Sequence, residues 1–300
     1  MNDQNALSTR FEAHRDHLRA VAYRMLGSSG EAEDAVQETW LRASRADLGE
    51  VGNLAAWLRT VLSRVCLDLL RSRRARREDP VGEIPEIPGD ERDPGTEAVR
   101  AESVGRALLV VLDTLGPAER VAFVLHDLFA VPFEQIGPIV GRTTVTTKKL
   151  ASRARHKVKG VPAVPAADFA RHRKVVEAFL AAARGGDLDA LLTVLAPDVV
   201  RRADPATLPP GVPAEVRGAR AVAEETIVLR RNSRVAEPAL VDGSVGLVVA
   251  PYGRLVLALV ITVSGDRIAG YEVIADPARL RCLDLSLVDD PVPVGTPLSR

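Results

Sequence analysis

Apolar residues recur at helical spacing through the first quarter of the chain. The stretches "FEAHRDHLRAVAYRML" (residues 11–26) and "SGEAEDAVQETWLRAS" (residues 29–44) each place them on one side of a helix. A third helix is predicted from Asn53 to about Arg77, and Ser29 and Asn53 are the expected N-terminal caps. Residues 8–78 are therefore predicted to form an all-α domain of three to four helices.

A second helical pattern covers residues 97–160. Its last part, "VPFEQIGPIVGRTTVTTKKLASRARHKV", predicts a short helix, a turn at Gly141 and Arg142, and a longer basic helix. Pro138 lies inside the short helix and is expected to kink it. This order of elements is that of a helix-turn-helix.

The pattern changes from helices to strands over residues 169–288. Helices at 168–184 and 219–231 and a strand at 198–204 precede a series of apolar strand runs. The runs lie at 235–241, 244–250, 254–263 and 267–274. Helices followed by an antiparallel meander predict an α+β fold in which a curved sheet wraps around helices.

Proline-rich segments separate these regions. Residues 79–96 combine four prolines with many acids, and this composition is typical of a linker. Residues 161–168 form a second, shorter linker, and residues 289–300 are expected to be a tail. The predicted domains are therefore 8–78, 97–160 and 169–288.

Composition narrows the chemistry that the chain can perform. Its two cysteines, Cys66 and Cys282, have no CxxC or Cys/His spacing, so neither a disulfide framework nor a zinc site is expected, and no cofactor is indicated. No segment approaches the roughly 20 apolar residues that span a bilayer, and the N-terminus lacks a signal-peptide core. We therefore expect a cytoplasmic protein with no membrane partner.

Charge is balanced overall but not locally. The chain carries 40 basic and 40 acidic residues. Four carboxylates and no base lie between Glu31 and Glu38, six acids lie between Glu83 and Glu97, and seven bases and no acid lie between Arg142 and Lys159. An acidic spacer therefore separates the arginines at 71–77 from the bases at 142–159. Because the electrostatic field near the surface follows local charge, each basic region could attract a polyanion.

The third helix carries the first candidate nucleic-acid surface. Its apolar stripe is predicted to be Leu54, Leu58, Val61, Leu62, Val65 and Leu69. One flank of that stripe, with Arg74 further round, carries an aromatic ring among cations: Trp57, Arg64, Asp68 and Arg71. Bases stack on rings while guanidinium groups hold phosphates. An equally open alternative is a half-core tryptophan beside an Arg64–Asp68 ion pair.

Two arginines of the same cluster have a different expected role. Arg73 and Arg76 point toward the apolar stripe if the helix persists. They are therefore expected to lie past its packed part, as general charge that attracts phosphates.

The basic helix of the helix-turn-helix carries the second candidate surface. Thr143 or Thr144 can cap it. Its exposed side is predicted to offer hydroxyls and long cations: Thr146, Lys148, Lys149, Ser152, Arg153 and Arg155. Such side chains can reach base edges and phosphates in the major groove. A solvated basic face is the alternative.

Four ordered motifs within residues 10–160 carry a family resemblance. They are "YRMLGSSGEAEDAVQETWLRA", "AAWLRTVLSRVCLDLLRSRRARRE", "LGPAERVAFVLHDLFAVPFEQIGPIVGR" and "ASRAR". Together they resemble an extracytoplasmic-function sigma factor of the sigma-70 family. "VVEAFLAAARGGDLDALLTVLAPDVV" and "VRGARAVA" resemble the SnoaL-like, NTF2-type extension that one branch of these factors carries.

The resemblance implies a fold and partners. It implies two all-α sigma domains, region 2 and a helix-turn-helix region 4, followed by an α+β NTF2-like cone. It also implies that core RNA polymerase and promoter DNA are the partners, and that the fused domain modulates activity. Related factors often carry a Trp-Leu-Pro-Glu-Pro motif in the linker and an Asp-Gly-Gly motif in the extension, and both are absent or degraded here, so the regulation stays open. The stretch "TTVTTKK" is richer in threonine than expected for the family, so the promoter sequence stays open as well.

The resemblance also assigns roles to residues. The second helix would engage the polymerase clamp through Asp34, Gln37, Glu38 and Arg42, although a solvated acidic face fits the sequence equally well. The third helix would melt and read the minus-10 element through Trp57, Arg64, Asp68, Arg71 and Arg74. The loop from Ala46 to Gly52 would hold a flipped base. The helix-turn-helix would read the minus-35 element.

The C-terminal region is expected to be a sensing or docking domain and not an enzyme. Catalysis in a cone would need a paired acid and base, yet the strands "VGLVVAP" and "RLVLALVITV" are almost wholly aliphatic. Asp198, Arg201, Asp204 and Tyr252 are conceivable pocket residues, but rim positions are expected. The pocket could hold a small-molecule ligand.

Two other functions remain open from the sequence. One is a helix-turn-helix repressor that binds DNA without polymerase. The other is an NTF2-like cyclase or hydrolase with a DNA-binding N-terminal half.

Overall fold

A computed structural model gives the fold and describes residues 2–47, 49, 51–77, 105–204, 208 and 212–289. The predicted linker 79–96 and all but the first residue of the predicted tail lie outside the described residues. The chain divides into two compact units. Among described residues, the first unit holds 2–77 and 112–156, and the second holds 105–111 and 157–289. The domain bounds given above stay predictions.

The first unit is helical throughout, as predicted. Its helices are α1 (Asn2–Leu26), α2 (Ser29–Ala43), α3 (Leu54–Arg77), α4 (Arg106–Asp113), α5 (Pro117–Phe123), α6 (Phe133–Val140) and α7 (Thr144–Lys159). A π-helical turn, Val124–Leu128, follows α5. The first residues of α4 and the last residues of α7 belong to the second unit.

Side-chain caps fix where α2 and α3 begin. Ser28, and not Ser29, caps α2: its backbone is extended and its hydroxyl accepts the Glu31 N–H at 3.4 Å. The prediction of Ser29 was wrong by one position, because the capping side chain must precede the first helical residue. Asn53 caps α3 as predicted, and its Oδ1 accepts the Ala56 N–H at 2.9 Å.

The buried arc of α3 is wider than the predicted stripe. Val61 and Leu69 are only partly buried, which corrects that prediction. Leu54, Leu58, Leu62 and Val65 are buried as expected, together with Ser63, Cys66, Leu67 and Leu70. The physical reason is that α3 packs against α1 and α2 on one side and against α5 and α6 on the other. A helix at the centre of a unit buries more than one stripe.

The helix-turn-helix forms as predicted. Gly141 ends α6 in the left-handed conformation, with φ 68°, and the Arg142 N–H donates to the Gly137 carbonyl at 2.9 Å. A Cβ on Gly137 would lie 2.8 Å from the Arg142 carbonyl oxygen, so only glycine allows this close turn. The α6 helix runs through Pro138 to Val140.

The second unit has the predicted α+β architecture. Its helices are α8 (Ala166–Gly185), α9 (Leu188–Val194), α10 (Ala219–Val228), α11 (Arg230–Val235) and α12 (Pro277–Cys282). Its strands are β1 (Leu195–Ala203), β2 (Glu215–Arg217), β3 (Ala236–Val241), β4 (Ser244–Val249), β5 (Leu257–Ser264), β6 (Arg267–Ile274) and β7 (Leu285–Ser286). The short strands β2 and β7 were not predicted, and the predicted helix 219–231 is divided at Leu229.

One seven-stranded sheet organises the second unit, in the order β2-β1-β6-β5-β4-β3-β7. Strands β3 to β6 form the predicted antiparallel meander, while β1 pairs with β6 in parallel. The apolar side of α8, including Val176 and Phe179, packs with Leu247 and Ile261 of the sheet in one core. Among the described residues, no helix is both long and apolar enough to cross a membrane.

Candidate nucleic-acid interface

The outer face of α2 gathers the four residues predicted there. Small residues such as Ala32, Ala35 and Ala43 are buried on the inner face, which lets α2 pack closely on α1 and α3. The outer face carries Asp34, Gln37, Glu38 and Arg42. They share one face because the other three lie three, four and eight residues after Asp34, which is close to whole turns of a helix.

Within that face, the four predicted side chains are not equally available. Glu38 accepts from Arg42 Nε at 2.9 Å, so these two charges are paired with each other. Asp34 and Gln37 are exposed. Leu41, which the sequence analysis missed, lies seven residues after Asp34 on the same face and is 44% exposed. A partner that binds this face would therefore meet an exposed apolar side chain as well as the charged ones.

The flank of α3 also forms as predicted. Trp57 is half-buried, whereas Arg64, Asp68, Arg71 and Arg74 are exposed. Asp68 pairs with Arg71, at 3.6 Å between Oδ1 and Nη1, and not with Arg64, as the alternative interpretation had it. Among the described residues, no ion pair involves Arg64. Arg64 is therefore the cation on this flank that is most available to a phosphate.

The arginine cluster at the end of α3 contains one structural residue. Arg73 donates from Nη1 to the Leu26 carbonyl at 2.8 Å and from Nε to Glu31 at 3.0 Å. It therefore joins the end of α1 to the start of α2, and the expectation that it attracts phosphates was wrong. The helix persists to Arg77, which turns Arg73 inward. Arg76 is exposed, with Nε 3.4 Å from the Ser72 carbonyl.

Arg74 lies beside the start of α5. A Cβ on Gly116 would come within 3.3 Å of Arg74 Nη1. Gly116 immediately precedes α5, so the Arg74 guanidinium borders the α5 N-terminus, although its side chain is exposed. This position distinguishes Arg74 from Arg64, for which the described residues give no ion pair, and from Arg71, which pairs with Asp68.

The exposed side of α7 carries most of the predicted cations. Thr143 is the cap, because its Oγ1 accepts the Thr146 N–H at 3.3 Å and lies 3.0 Å from the Thr146 hydroxyl. Lys148, Lys149 and Ser152 are exposed. Val145, which the sequence analysis missed, is 65% exposed in the first turn. An exposed apolar residue there can touch a thymine methyl group.

Two of the predicted α7 cations are already engaged. Arg153 pairs with Glu119 at 3.3 Å. Arg155 donates to Asp127 at 2.5 Å and lies 3.3 Å from His126 Nδ1. These partners belong to the same helical group, so they reduce the charge that Arg153 and Arg155 offer to DNA.

The α1–α3 group packs directly on the α5–α7 group within the first unit. Arg59 on α3 donates to the Gln135 side chain on α6 at 2.9 Å. The Phe129 ring lies 5.4 Å from the His17 ring, edge-on, and 5.3 Å below the Arg24 guanidinium. Burial lowers the pKa of Arg59. The contact is thus made of a few polar and aromatic side chains.

Cysteine and metal chemistry find no support in the described residues. They contain no group of three or more His, Cys, Asp or Glu side chains that could hold a metal ion. Cys66 is buried, and burial raises the pKa of its thiol to about 12, while Cys282 is exposed. The buried thiol is therefore unreactive at neutral pH.

A cavity of about 550 Å³, including its open mouth, lies in the second unit. Its walls come from α8, the junction of α10 and α11, and strands β3 to β6. The polar residues among those that line it are Thr226, Asn232, Ser233 and Tyr271. None of the described residues that line it is Asp, Glu, Lys, Arg or His. The sequence analysis did not find these residues, because they come from four separate segments.

Arg201 and Asp204, which the sequence left as conceivable pocket residues and favoured as rim positions, do not line the cavity. Arg201 is buried and binds Glu225, with 2.8 Å between Nε and Oε2. Asp204 accepts the N–H groups of Ala275 and Asp276 at 3.1 Å and binds Arg279. Neither lines the cavity.

Asp204 is held in its charged form by these contacts. Burial alone would raise the pKa of the Asp204 carboxyl, but the hydrogen bonds from Asp276, Ala275 and Arg279 outweigh burial and lower the pKa. Asp198 also lies outside the lining, and the Tyr252 side chain lies outside the described residues.

Comparison with known proteins matches both parts of the chain. The Sigma-70 region 2 family matches residues 10–76. The "ECF RNA polymerase sigma factor SigJ" of Mycobacterium tuberculosis (strain ATCC 25618 / H37Rv) is 44% identical over 213 residues, which are 69% of this chain and 68% of that protein. The "Probable ECF RNA polymerase sigma factor SigI" of Mycobacterium tuberculosis (strain CDC 1551 / Oshkosh) is 40% identical over 208 residues, or 68% and 72% of the two chains.

A solved structure is similar over nearly the whole length. It is the crystal structure of the Mycobacterium tuberculosis extracytoplasmic function sigma factor SigJ, at 34% identity and a TM-score of 0.46. The match covers 91% of this chain and 97% of that one.

Proposed function

Because the chain belongs to the extracytoplasmic-function (ECF) family of RNA polymerase sigma factors, we propose that three of its helix faces divide the work of promoter-directed initiation. A sigma factor binds core RNA polymerase and directs it to promoter DNA. The α2 face serves polymerase, the α3 flank serves the minus-10 element, and α7 serves the minus-35 element. The observation that carries this assignment is that these helices bury one side and expose their charged, polar and aromatic side chains together.

The α2 face meets polymerase through Asp34, Gln37 and Leu41, and the Glu38–Arg42 pair shapes its edge. Core capture by immobilised protein tests this role. The variant D34A/L41A should lose most of the captured polymerase, because it removes the free acid and the apolar contact. The matched control is E12A, since Glu12 is an exposed acid on α1. Unchanged capture by D34A/L41A would favour a repressor that acts without polymerase.

The α3 flank meets the minus-10 element. Trp57 exposes part of its ring for base stacking, and Arg64 supplies the free cation, with Arg71 beside it and Arg74 at the border of α5. Asp68 holds Arg71 in place through its ion pair. The loop from Ala46 to Gly52 is described only in part, and its flipped-base pocket stays a prediction.

The α7 helix meets the minus-35 element in the major groove. Lys148, Lys149 and Ser152 are its available contacts, with Val145 and Thr146 in the first turn. The lysines supply sequence-independent attraction to phosphates, and the first-turn side chains face base edges. Arg153 and Arg155 contribute less, since both are held by acids of the same helical group.

Reading both elements at once requires the first unit to open. The names of the minus-10 and minus-35 elements give their positions in base pairs upstream of the transcription start, so the two lie about 25 base pairs apart. In B-form DNA, at about 3.4 Å per base pair, this is roughly 85 Å. A compact unit of about 120 residues has a radius of gyration of about 14 Å. The α1–α3 and α5–α7 groups, which pack together here, must therefore separate on promoter DNA.

The C-terminal unit acts as a non-catalytic regulator of the helix-turn-helix. Two contacts within the second unit support this, because each holds the end of a helix that continues into the first unit. Arg106, the first residue of α4, pairs with Glu237 of β3 at 3.2 Å, and the Leu287 N–H after β7 donates to the Val158 carbonyl of α7 at 2.8 Å. The absence of any acid or base from the described cavity lining supports a role other than cyclase or hydrolase. This role places the protein in the cytoplasm with polymerase.

A charge swap tests that regulation. The single variants R106E and E237R should change the amount of promoter-specific transcript, because each leaves two like charges facing one another. The double variant R106E/E237R should restore the wild-type amount. Wild-type transcription by both single variants would contradict the proposed regulation while leaving the sigma assignment intact.

A further inference from the structure

We propose that the cavity of the second unit is a binding site for an uncharged aromatic small molecule that donates one hydrogen bond to the Tyr271 hydroxyl. This inference deepens the regulatory role proposed above and rests on it for the consequence of binding, but not for binding itself.

The walls of the cavity favour an apolar occupant. Its volume of about 550 Å³ includes the space at its open mouth, so an occupant can contact the apolar walls and extend through the mouth. Phe179, Leu247, Leu257 and Leu259 supply the apolar surface. The Phe179 ring lies 5.8 Å from the Tyr271 ring at an angle of 53°, so two aromatic rings border the same space. A flat aromatic molecule can contact both rings.

The polar group of the site is a matched pair of hydroxyls. Thr226 Oγ1 donates to the Val222 carbonyl at 2.8 Å, so its remaining capacity is to accept. The Tyr271 hydroxyl, 3.3 Å away, is protonated at neutral pH like any tyrosine, and burial raises its pKa further, to about 12. Tyr271 therefore donates to Thr226, and its oxygen lone pairs can accept a hydroxyl or amine proton from a ligand.

A charged ligand would find no counter-ion in the site, because the charged residues next to the cavity lining already have partners. Glu225, next to Thr226, is bound by Arg201, which is 3% exposed and also donates to the Pro213 carbonyl at 2.9 Å. Arg184 donates to the backbone carbonyls of Ser233 and Ala236, at 3.0 and 2.6 Å. These cations are thus occupied, and a charged ligand would lose its hydration without gaining a counter-ion.

The site adjoins the Arg106–Glu237 contact, which was proposed above to support regulation of the helix-turn-helix. Ala236 lines the cavity, and the next residue, Glu237, pairs with Arg106. Arg184 also lies 4.0 Å from Glu237. Because Ala236 and Glu237 are consecutive residues, an occupant that moves α11 or the start of β3 also moves Glu237 and changes its ion pair with Arg106.

Fluorescence titration of the full-length protein tests the site. The probe is N-phenyl-1-naphthylamine, an uncharged aromatic amine with a single N–H, and its charged counterpart is 1-anilinonaphthalene-8-sulfonate. We expect the amine to bind with saturation and the sulfonate to bind at least about tenfold more weakly, because the cavity offers no counter-ion. Equal binding of the two probes, or no saturable binding of the amine, would overturn the proposal.

Variants locate the binding. Y271F should weaken binding of the amine about fivefold, the value of one hydrogen bond, and the matched control Y23F in the first unit should not. A183W should abolish binding by filling the cavity. Should A183W fail to fold, L229W blocks the mouth instead, since Leu229 lines it and is 52% exposed.

Wild-type affinity in both Y271F and the blocked variant would refute the site. The titration contains neither polymerase nor DNA. Its failure would therefore leave the sigma assignment standing, and failure of transcription would leave the binding result standing.

Discussion

The two units of this protein present their functional side chains in opposite ways. The first unit places charges and a half-buried ring on the outside of helices whose other sides form its core. The second unit places two uncharged aromatic rings, those of Phe179 and Tyr271, at the wall of an apolar cavity. The nearby charges of Arg201 and Glu225 neutralise each other in an ion pair. The difference teaches that exposed charged and polar side chains suit large partners such as promoter DNA and core RNA polymerase, whereas an uncharged apolar cavity suits one small apolar molecule.

The largest effect is expected from a covalent tether that prevents the α1–α3 and α5–α7 groups of the first unit from separating. Bismaleimide cross-linking of R59C/Q135C, in a C282S background that removes the exposed native cysteine, should hold the α3–α6 contact closed. Promoter-specific transcript should fall below about 1% of the untreated level, because the tether leaves almost no competent open state. Gel mobility and run-off transcription measure the tether and the output.

Two controls accompany the tether. Cys66 does not interfere, because it is buried with a raised pKa. The singly substituted R59C protein, treated alike, should transcribe normally. Full transcription by the tethered protein would show that both elements are read without separation.

Two arginines of α3, Arg73 and Arg76, test whether the first unit also contains charges that stabilise its fold instead of facing a partner. R73A should lower the free energy of unfolding by about 2 kcal/mol, since it removes hydrogen bonds to the Leu26 carbonyl and to Glu31. R76A, the matched control at an exposed position, should lower it by less than about 0.5 kcal/mol. Urea unfolding measures both variants. Equal stability of R73A and R76A would return Arg73 to the phosphate-attracting set.

The salt dependence of DNA affinity distinguishes the exposed lysines of α7 from the arginines that are already paired with acids. K149Q should reduce the slope of log affinity against log salt for minus-35 DNA by about 1, because it removes one phosphate contact. R155Q should change the slope less, since Asp127 already neutralises Arg155. Fluorescence anisotropy over a range of salt concentrations measures both slopes. A larger change for R155Q would contradict the assignment.

The smallest expected effect concerns the second unit at low pH. The folded-state pKa of Asp204 is lowered, so its contribution to stability is present above the unfolded value of about 3.9 and is lost as the pH falls through the folded value. D204N should lower stability at pH 6 by about 1 kcal/mol and by less at pH 3. Urea unfolding at the two pH values checks this, and equal losses at both would exclude the carboxylate charge as the cause.

The sequence was sufficient for features that depend on periodicity. Helical spacing placed Asp34, Gln37, Arg64 and Lys149 on outer faces, and strand runs placed the antiparallel meander. The same spacing also marks Leu41, because it lies seven residues after Asp34, so an apolar residue on a polar face was a usable signal. Residues such as these need only local structure to be oriented.

Other features depend on tertiary contacts that spacing does not encode. Arg73 and Arg76 lie three residues apart in the same arginine-rich stretch, and only the meeting of α1 with α2 gives Arg73 its partners. Thr226 and Tyr271 lie 45 residues apart and meet through the sheet and α10. The α3 stripe was drawn too narrow because packing against two helical groups buries a wider arc.

Run-off transcription on host genomic fragments, with core polymerase and the full-length protein, tests the central claim most directly. We predict discrete transcript starts preceded by two shared sequence elements, lost with R64E or with D34A/L41A and kept with the exposed second-unit control R220E. Starts identical to those of core polymerase alone, or insensitive to R64E and D34A/L41A, would contradict the account.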